Sequence, residues 1–222
     1  MMNRAWAIIV AAGAGRRFGA AKQFALLKGR PLYEWSLEAF ERHEAVEGVI
    51  LVLPAEGVGL RQPAPEGKLR EVVAGGKERQ DSVWNGFRRV PAGEDRIVLV
   101  HDGARPLVSA ELISRVIREA GEKGAAVPGL PIEDTIKEAG GDSVLRTLDR
   151  RSLVRVQTPQ GFLYPWLRRA LEEAAAGGFT GTDEAMLVEK TGKKVGLVAG
   201  DLKNIKITTP LDLRIAEAMI DA

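Results

Sequence analysis

A strongly apolar run near the start of the chain leads directly into a segment rich in glycine and alanine. Ile8, Ile9 and Val10 have the composition of a buried strand, and residues 11–19 then read Ala-Ala-Gly-Ala-Gly-Arg-Arg-Phe-Gly. Glycines permit unusual φ angles and a close approach of the backbone to a ligand, and clustered backbone N–H groups bind anions. The two arginines and Lys22 add positive charge. The segment therefore predicts a turn after a strand that binds a polyphosphate.

Further apolar runs alternate with segments of helical periodicity. Near-continuous apolar strands separated by helices indicate an α/β fold, with a Rossmann-like, mostly parallel sheet covered by helices on both faces. Right-handed connections then place the loops after the strands at one edge, where ligands of such sheets bind. The predicted strands are residues 6–10, 49–53, 69–73, 97–101, 124–127, 195–198 and about 205–207, and the predicted helices are 32–43, 79–90, 110–123, 165–176, 183–190 and one from 210 onward.

Residues 131–156 interrupt the alternation. The segment 132–137, a turn at 140–142 and the returning segment 144–148 predict a β-hairpin. An isolated hairpin is marginally stable in water, so we expect it to pack on something else, most simply on a second copy of the chain. A hairpin folded onto its own domain is the alternative. We expect one domain over residues 1–222, with 131–156 as a dimerisation arm inserted in it.

Composition excludes several classes of protein. Lys plus Arg number 32 against 30 Asp plus Glu, so the chain has no general basic field for binding nucleic acid. Cysteine is absent, which excludes disulfides, thiolate nucleophiles and zinc–thiolate sites. We expect His43 to lie at the surface and His101 to have a structural role. Because no signal peptide and no long apolar run are present, we expect a cytoplasmic protein without a membrane span.

Two further polar clusters follow predicted strands. The segment 75–82 reads Gly-Gly-Lys-Glu-Arg-Gln-Asp-Ser, and its backbone and the Ser82 hydroxyl could contact a pyrimidine edge, the alternative being a turn with helix capping. The segment 101–106 reads His-Asp-Gly-Ala-Arg-Pro, with Asp102 at the end of a buried strand. A carboxylate there suits Mg²⁺ or a sugar hydroxyl. The alternative is a pair between Asp102 and Arg105 that stabilises the loop.

The glycine-rich turn alone leaves other interpretations open. A dinucleotide-binding fingerprint requires an acidic residue at the end of the second strand, but that strand ends Val52-Leu53-Pro54. No Gly-Lys-Ser or Gly-Lys-Thr of a phosphate-binding P-loop occurs. The glycines could also serve only a tight turn, with the neighbouring cations solvated.

Taken in order, the motifs resemble those of the 2-C-methyl-D-erythritol 4-phosphate cytidylyltransferases of the non-mevalonate isoprenoid pathway. The shared motifs are Ala-Ala-Gly-x-Gly-Arg-Arg with Lys-Gln-Phe, Gly-Gly-x-x-Arg-x-Asp-Ser-Val, Val-His-Asp-x-Ala-Arg-Pro, Thr-Pro-Gln, Thr-Asp-Glu-Ala and Asn-Ile-Lys-x-Thr. The similarity extends from Ile8 to about Ala218. The resemblance implies a fold of the nucleotidyltransferase type and a reaction of CTP with a small sugar-alcohol phosphate that releases pyrophosphate. It also implies Mg²⁺ or another divalent cation, no organic cofactor, and a homodimer joined by the arm.

The resemblance also assigns roles to residues. It implies that Arg17 and Lys22 stabilise charge at the reacting phosphorus and the leaving group. It also implies that Arg150 and Lys206 bind the attacking phosphate. It implies that the nucleotide contacts Ala11, Ala12, Gly13, Ala14, Gly15, Gly76, Ser82 and Gly103. It implies that sugar phosphate, ribose or metal contacts Asp102, Arg105, Thr135, Thr158 and Thr182. Asp102 is the candidate metal ligand, the alternative being a metal held by substrate phosphates, and Thr135 is the candidate for completing the partner's site.

Three other functions remain as alternatives at this point. A sister cytidylyltransferase for another polyol phosphate, such as ribitol 5-phosphate, would need the same turn. A non-catalytic nucleotide-binding module would tolerate the loss of Arg17 and Lys22. An NAD-dependent oxidoreductase would bind NADH.

Overall fold

Twelve strands and six α-helices are found in residues 4–13 and 25–221, the residues that the structure, a computed structural model, describes. The strands are β1 (Ala5–Val10), β2 (Leu26–Leu27), β3 (Arg30–Pro31), β4 (Val46–Leu53), β5 (Leu69–Ala74), β6 (Ile97–Asp102), β7 (Ala125–Pro131), β8 (Lys137–Gly140), β9 (Ser143–Thr147), β10 (Val154–Val156), β11 (Gln160–Leu163) and β12 (Gly196–Ala199). The helices are α1 (Leu32–Arg42), α2 (Arg79–Phe87), α3 (Ala110–Lys123), α4 (Tyr164–Ala176), α5 (Glu184–Lys190) and α6 (Pro210–Asp221), with short 3₁₀ helices at Ala55–Leu60 and Arg150–Ser152.

A mostly parallel sheet of eight strands forms the centre of this arrangement. Its order is β10-β7-β11-β6-β1-β4-β5, with β12 paired to β7. Strand β1 is parallel to both β4 and β6, whereas β11 is antiparallel to its neighbours β6 and β7. The chain leaves β1 toward β4 and later returns on its other side as β6, so the direction of winding changes between β1 and β6. Open α/β sheets bind ligands at the carboxyl ends of strands at such a switch point, and here Val10 pairs with Asp102.

The core has one apolar layer on each face of the sheet. Along β1, Ala7 and Ile9 face the layer that contains α1 and α3, whereas Ile8 faces the layer that contains α2, α4 and α5. Helix α2 packs against the sheet through Gly86, where an added Cβ would lie 2.6 Å from Ile8 Cγ2. The predicted α/β class, with helices on both faces, is confirmed.

Local sequence signals account for the helix boundaries, as α3 illustrates. The Ser109 side chain accepts a hydrogen bond from the Leu112 N–H at the start, and Gly124 ends the helix with a φ of +86°. A serine N-cap and a glycine in the left-handed region are the usual ends of a helix. The predicted helix 110–123 is found with those bounds. No helix in the described residues has the length and apolar character needed to cross a membrane.

The expected strand around 205–207 is wrong. This segment has no regular secondary structure. Ile207 is buried with Leu27, Leu32 and Ala216 in a third apolar cluster beneath α6, and its N–H donates to the Ala104 carbonyl. Its apolar pattern therefore reflects burial against a helix rather than pairing in a sheet.

The expected surface position of His43 is also wrong. Its side chain is buried, and its Nε2 lies 2.9 Å from Ser114 Oγ. Burial lowers the pKa of His43. The neighbouring acidic residues in the sequence suggested exposure, but the packing of α1 beside α3 encloses the ring.

The predicted hairpin is present as β8 and β9, which form a two-stranded sheet of their own. The turn contains Gly141 with a φ of +62°, and the first strand begins at Lys137, later than expected. Two large apolar side chains on the returning strand, Val144 and Leu145, are exposed. Beyond the hairpin, β10 returns to the main sheet beside β7, so the arm that projects is shorter than 131–156.

Candidate active site

A cavity of about 320 Å³ lies at the carboxyl ends of β1 and β6, at the switch point of the sheet. It is lined by the end of β1, by the turn before α2 and its first residues, by the end of β6 and by one lysine from the segment before α6. The predicted site residues that the structure brings together here are Ala11, Ala12, Gly13, Gly76, Ser82, Asp102 and Lys206. Four distant parts of the sequence therefore meet at one site.

The turn before α2 forms one wall of the cavity. Ser82 Oγ accepts from the Gly76 N–H at 3.0 Å and donates to the Glu78 carbonyl at 3.1 Å. Glu78 and Asp81 form a capping box at the start of α2. An added Cβ at Gly75 would lie 2.2 Å from the Ala12 Cβ, so a glycine there lets this wall approach the end of β1. The predicted capping and the predicted cavity wall thus occur in the same turn.

Asp102 supplies a buried carboxylate at the cavity floor. Its Oδ1 accepts from Arg79 Nε at 3.2 Å and its Oδ2 accepts from Lys206 Nζ at 2.6 Å. Burial alone would raise the pKa of Asp102, but Arg79 and Lys206 outweigh it and hold the pKa below its usual range. Arg105 makes no such contact with Asp102 and donates instead to the Asn204 carbonyl at 2.8 Å. The alternative of a loop-stabilising pair between Asp102 and Arg105 is therefore wrong.

Arg79, the first residue of α2, is a cavity residue that the sequence reasoning missed. Its Nη1 donates to Glu184 Oε1 at 2.6 Å while its Nε binds Asp102. Burial would lower the pKa of Arg79, but Glu184 and Asp102 together raise it. A cation in the first turn of a helix opposes the helix dipole. That unfavourable placement is the signal in the sequence that acidic partners had to lie nearby.

A buried polar network lies behind Asp102 and holds it in place. Thr158 Oγ1 accepts from the Asp102 N–H at 3.1 Å and lies 3.2 Å from His101 Nδ1. Asn204 Nδ2 donates to the Thr158 carbonyl at 2.8 Å, and His101 Nε2 lies 3.2 Å from the Arg105 carbonyl. Thr158, Arg105 and His101 are all buried. The network therefore fixes the end of β6 to the segment that carries Lys206, and the structural role expected for His101 agrees with it.

The sequence of the whole chain matches one protein family. The model of that family, described as 2-C-methyl-D-erythritol 4-phosphate cytidylyltransferase, matches residues 5–222. A relative of this description from Geobacter metallireducens is 44% identical over 224 residues, with 97% of each chain covered. Another from Geobacillus kaustophilus is 46% identical over 220 residues, with 96% of each covered. The chain belongs to the 2-C-methyl-D-erythritol 4-phosphate cytidylyltransferase family.

Solved structures of the family have the same fold. The 2-C-methyl-D-erythritol 4-phosphate cytidylyltransferase of Thermus thermophilus aligns with a TM-score of 0.81 at 36% identity, covering 97% of this chain and 98% of that one. The 4-diphosphocytidyl-2C-methyl-D-erythritol synthase of Anaerococcus prevotii aligns with a TM-score of 0.85 at 29% identity, covering both chains completely. The nucleotidyltransferase-type fold expected from the resemblance is thereby confirmed.

Several residues that the family resemblance singled out lie away from the cavity. Thr135 and Arg150 are exposed on the arm segment, where the Arg150 guanidinium donates to the Glu133 carbonyl. Thr182 is exposed just before α5. Gly103 lies behind the cavity, and its N–H donates to the Val10 carbonyl at 2.9 Å. Their predicted contacts with substrate stay predictions.

Four residues assigned by the family resemblance lie outside the described residues, namely Ala14, Gly15, Arg17 and Lys22. Ala12 and Gly13, the described residues directly before this gap, line the cavity. The predicted polyphosphate turn is thus described only at its first residues, and those residues face the site.

The chemistry of the cavity is compatible with a divalent cation held mainly by phosphate oxygens. The described part of the chain contains no cluster of three or more His, Cys, Asp or Glu side chains suited to a metal ion. Asp102 is a carboxylate at the cavity, and proteins commonly bind Mg²⁺ through one or two carboxylates together with substrate phosphates. Both Asp102 oxygens already accept from Arg79 and Lys206, so the arrangement agrees better with the alternative of a cation held by substrate phosphates.

Proposed function

We propose that this protein transfers the cytidylyl group of CTP to 2-C-methyl-D-erythritol 4-phosphate and releases pyrophosphate. The observation that carries the proposal is the convergence of Gly13, Ser82 and Lys206 on one cavity in a chain that matches this family from residue 5 to residue 222. A cavity with backbone amides on one side and a lysine on the other is suited to bringing two phosphates together. The relatives named above carry this activity in their names.

The reaction requires positioning rather than a nucleophilic side chain. A phosphate oxygen of the acceptor forms a bond to the α-phosphorus of CTP, and the bond from that phosphorus to the bridging oxygen of the β-phosphate breaks. Pyrophosphate leaves with the bonding electron pair. Such transfers are accelerated by alignment and by charges placed where negative charge develops. The absence of cysteine from the sequence is consistent with this chemistry.

The two sides of the cavity would bind different parts of the substrates. We assign the nucleotide to the wall formed by the end of β1 and by Gly76 and Ser82, and the acceptor phosphate to Lys206. Arg17 and Lys22 would stabilise charge on the α-phosphorus and on the leaving group. Asp102 keeps the Lys206 ammonium at the cavity through a contact of 2.6 Å.

A divalent cation, Mg²⁺ for instance, completes the proposal. When bound, it would neutralise charge on the triphosphate, and phosphate oxygens of the substrates would hold it. The residues of the chain would fix the nucleotide, orient the acceptor phosphate and limit the motion of both substrates.

We further propose that the protein acts in the cytoplasm as a homodimer joined by the arm. The arm leaves the main sheet, and its side chains Val144 and Leu145 are 62% and 64% exposed. Exposed apolar groups on a two-stranded hairpin favour packing against another surface. Thr135 and Arg150 on this segment would then complete the acceptor site of the partner subunit.

A direct assay tests the function. The protein is incubated with CTP, Mg²⁺ and either 2-C-methyl-D-erythritol 4-phosphate or ribitol 5-phosphate, and pyrophosphate is measured. We expect release with the first acceptor, and Lys206→Ala should lower the rate by about 100-fold. Lys203→Ala is the matched control because Lys203 is an exposed lysine three positions away. Absence of pyrophosphate, or faster release with ribitol 5-phosphate, would overturn the proposal.

The dimer is tested separately by light scattering during gel filtration. Deletion of residues 132–148 should give monomers with little activity, and Val144→Ser with Leu145→Ser should weaken the dimer while leaving the arm in place. A deletion variant that is monomeric and fully active would contradict the sharing of the site.

A further inference from the structure

Four charged side chains of alternating sign form a connected series that begins behind the cavity and ends inside it. Glu184 Oε1 lies 2.6 Å from Arg79 Nη1, Arg79 Nε lies 3.2 Å from Asp102 Oδ1, and Asp102 Oδ2 lies 2.6 Å from Lys206 Nζ. The four residues belong to α5, α2, β6 and the segment before α6, so the series connects four separate parts of the fold.

Glu184 is the member farthest from the cavity. Its side chain is 1% exposed, and its Oε2 has no hydrogen-bond partner among the described residues. A buried carboxylate with an unsatisfied oxygen costs stability, and buried ion pairs can often be replaced by apolar side chains without loss. Fold stability alone therefore does not explain a glutamate at this position.

The start of α5 holds Glu184 in a fixed place. Asp183 caps the helix by accepting from the Met186 N–H at 2.9 Å. Gln160 of β11 donates to Asp183 Oδ2 at 2.8 Å and accepts from the Ala185 N–H at 3.2 Å. The Asp183 side chain and the Ala185 backbone, on the two sides of Glu184, are thus tied to the central sheet, and the glutamate can serve as a rigid anchor.

We propose that Glu184 is a positioning residue for the transfer reaction, which acts through Arg79 and Asp102 to hold the Lys206 ammonium at the acceptor phosphate. The inference rests on the proposed function. Glu184 holds Nη1 of Arg79 and so fixes the orientation of the guanidinium. In this orientation the guanidinium donates to Asp102 through Nε at Oδ1, and Oδ2 of Asp102 accepts from Lys206.

The consequence of removing the charge of Glu184 follows from the geometry of the guanidinium. Arginine binds carboxylates preferentially through two parallel hydrogen bonds. Without the Glu184 carboxylate, the Arg79 guanidinium can turn so that Nε and Nη2 donate to both oxygens of Asp102, and Lys206 then loses its anchor. The acceptor site is perturbed while the wall formed by Gly76 and Ser82, which has its own hydrogen bonds, is retained.

The test is steady-state kinetics of Glu184→Gln, which keeps the size of the side chain and removes its charge. We expect the KM for the acceptor to rise about tenfold, as for the loss of one charged hydrogen bond, and the KM for CTP to change less than about twofold. Glu189→Gln is the matched control, since it makes the same chemical change at an exposed glutamate of the same helix α5. Its acceptor KM should equal that of the wild type.

A double variant shows whether Glu184 acts through Lys206. In the Lys206→Ala background, Glu184→Gln should leave the acceptor KM unchanged within about twofold, because coupled residues give non-additive effects. If Glu184→Gln does not fold, Arg79→Lys replaces it, since a lysine cannot bridge two carboxylates; its acceptor KM should also rise.

Each outcome bears on a different claim. An unchanged acceptor KM in the folded variant, equal rises for acceptor and CTP, or a full effect in the Lys206→Ala background would each overturn the positioning role. Wild-type protein that releases no pyrophosphate would instead overturn the proposed function itself. Glu184→Asp, which keeps the charge, should return the acceptor KM to within about threefold of the wild type if the charge is what matters.

Discussion

Lowering the pH from 7.5 to 4.5 is expected to cost the folded state about 2.5 kcal/mol through His101 alone. The ring is fully buried, and burial lowers its pKa to about 4. Its surroundings favour the neutral form. The Arg105 carbonyl can only accept, so Nε2 carries the hydrogen, and Nδ1 then accepts from the Thr158 hydroxyl.

The sign and size follow from proton binding in the two states. An unfolded histidine titrates near pH 6.5, whereas folded His101 titrates at about 4. Between these values the unfolded chain binds more protons, so stability decreases as the pH falls from 6.5 to 4. At pH 4.5 the unfolded ring is almost fully protonated and the folded ring about one quarter, which gives a loss of about 2.5 kcal/mol relative to pH 7.5.

The assay is urea unfolding of the wild type and of His101→Gln at pH 7.5, 6.0 and 4.5, followed by tryptophan fluorescence. Other groups with shifted pKa values, such as His43 and Glu184, titrate in both proteins, so the difference between the two proteins isolates His101. The wild type should lose about 2.5 kcal/mol more than the variant on acidification. Equal losses in the two proteins would refute the assignment of a buried, neutral ring.

Two further predictions concern packing and capping. Gly86→Ala should destabilise the fold by about 1 kcal/mol or more in the same urea unfolding assay. The added Cβ would lie 2.6 Å from Ile8 Cγ2, and this overpacking outweighs the gain in helix propensity of about 1 kcal/mol. Gly59→Ala is the control and should be neutral, because an added Cβ there would meet no atom within 4 Å. Asp212→Ala should cost about 1 to 2 kcal/mol in that assay, since Asp212 Oδ2 accepts from the N–H and hydroxyl of Thr208 and from the next N–H, each at 2.8 Å, at the start of α6. An unchanged unfolding midpoint in either variant would contradict the corresponding argument.

Long apolar strands were predictable because each signal is local. Strands β1, β4 and β6 are buried on both faces, and their sequences show it without further knowledge. Strand β11 was not predicted, since it has four residues and one of them is Gly161. An added Cβ there would lie 2.8 Å from Val116 Cγ1, so the glycine serves the close packing of α3. A requirement set by Val116, which lies 45 positions earlier in the chain, leaves no trace in the local sequence.

The cavity shows the same difference between local sequence signals and requirements set by distant residues. The motifs identified seven cavity residues, because small and charged residues after strands are local signals. They did not separate side chains that face the cavity from those that support it, such as Thr158 and Arg105. That difference depends on hydrogen bonds to Asn204 and Asp102, which come from distant segments. The contact between Arg79 and Glu184 spans 105 positions and could not be inferred from spacing.

The charges around the cavity bear on how a nucleoside triphosphate could be bound. The described charged residues that line it, together with Glu184 behind it, balance in formal charge; they are Lys77, Arg79 and Lys206 against Glu78, Asp102 and Glu184. The triphosphate of CTP carries about four negative charges. Backbone amides can meet part of this demand, and the sequence supplies further cations at 16, 17 and 22. Nucleotide affinity should therefore depend on those three residues and on a divalent cation, whereas Lys206, already paired with Asp102, is suited to the singly phosphorylated acceptor.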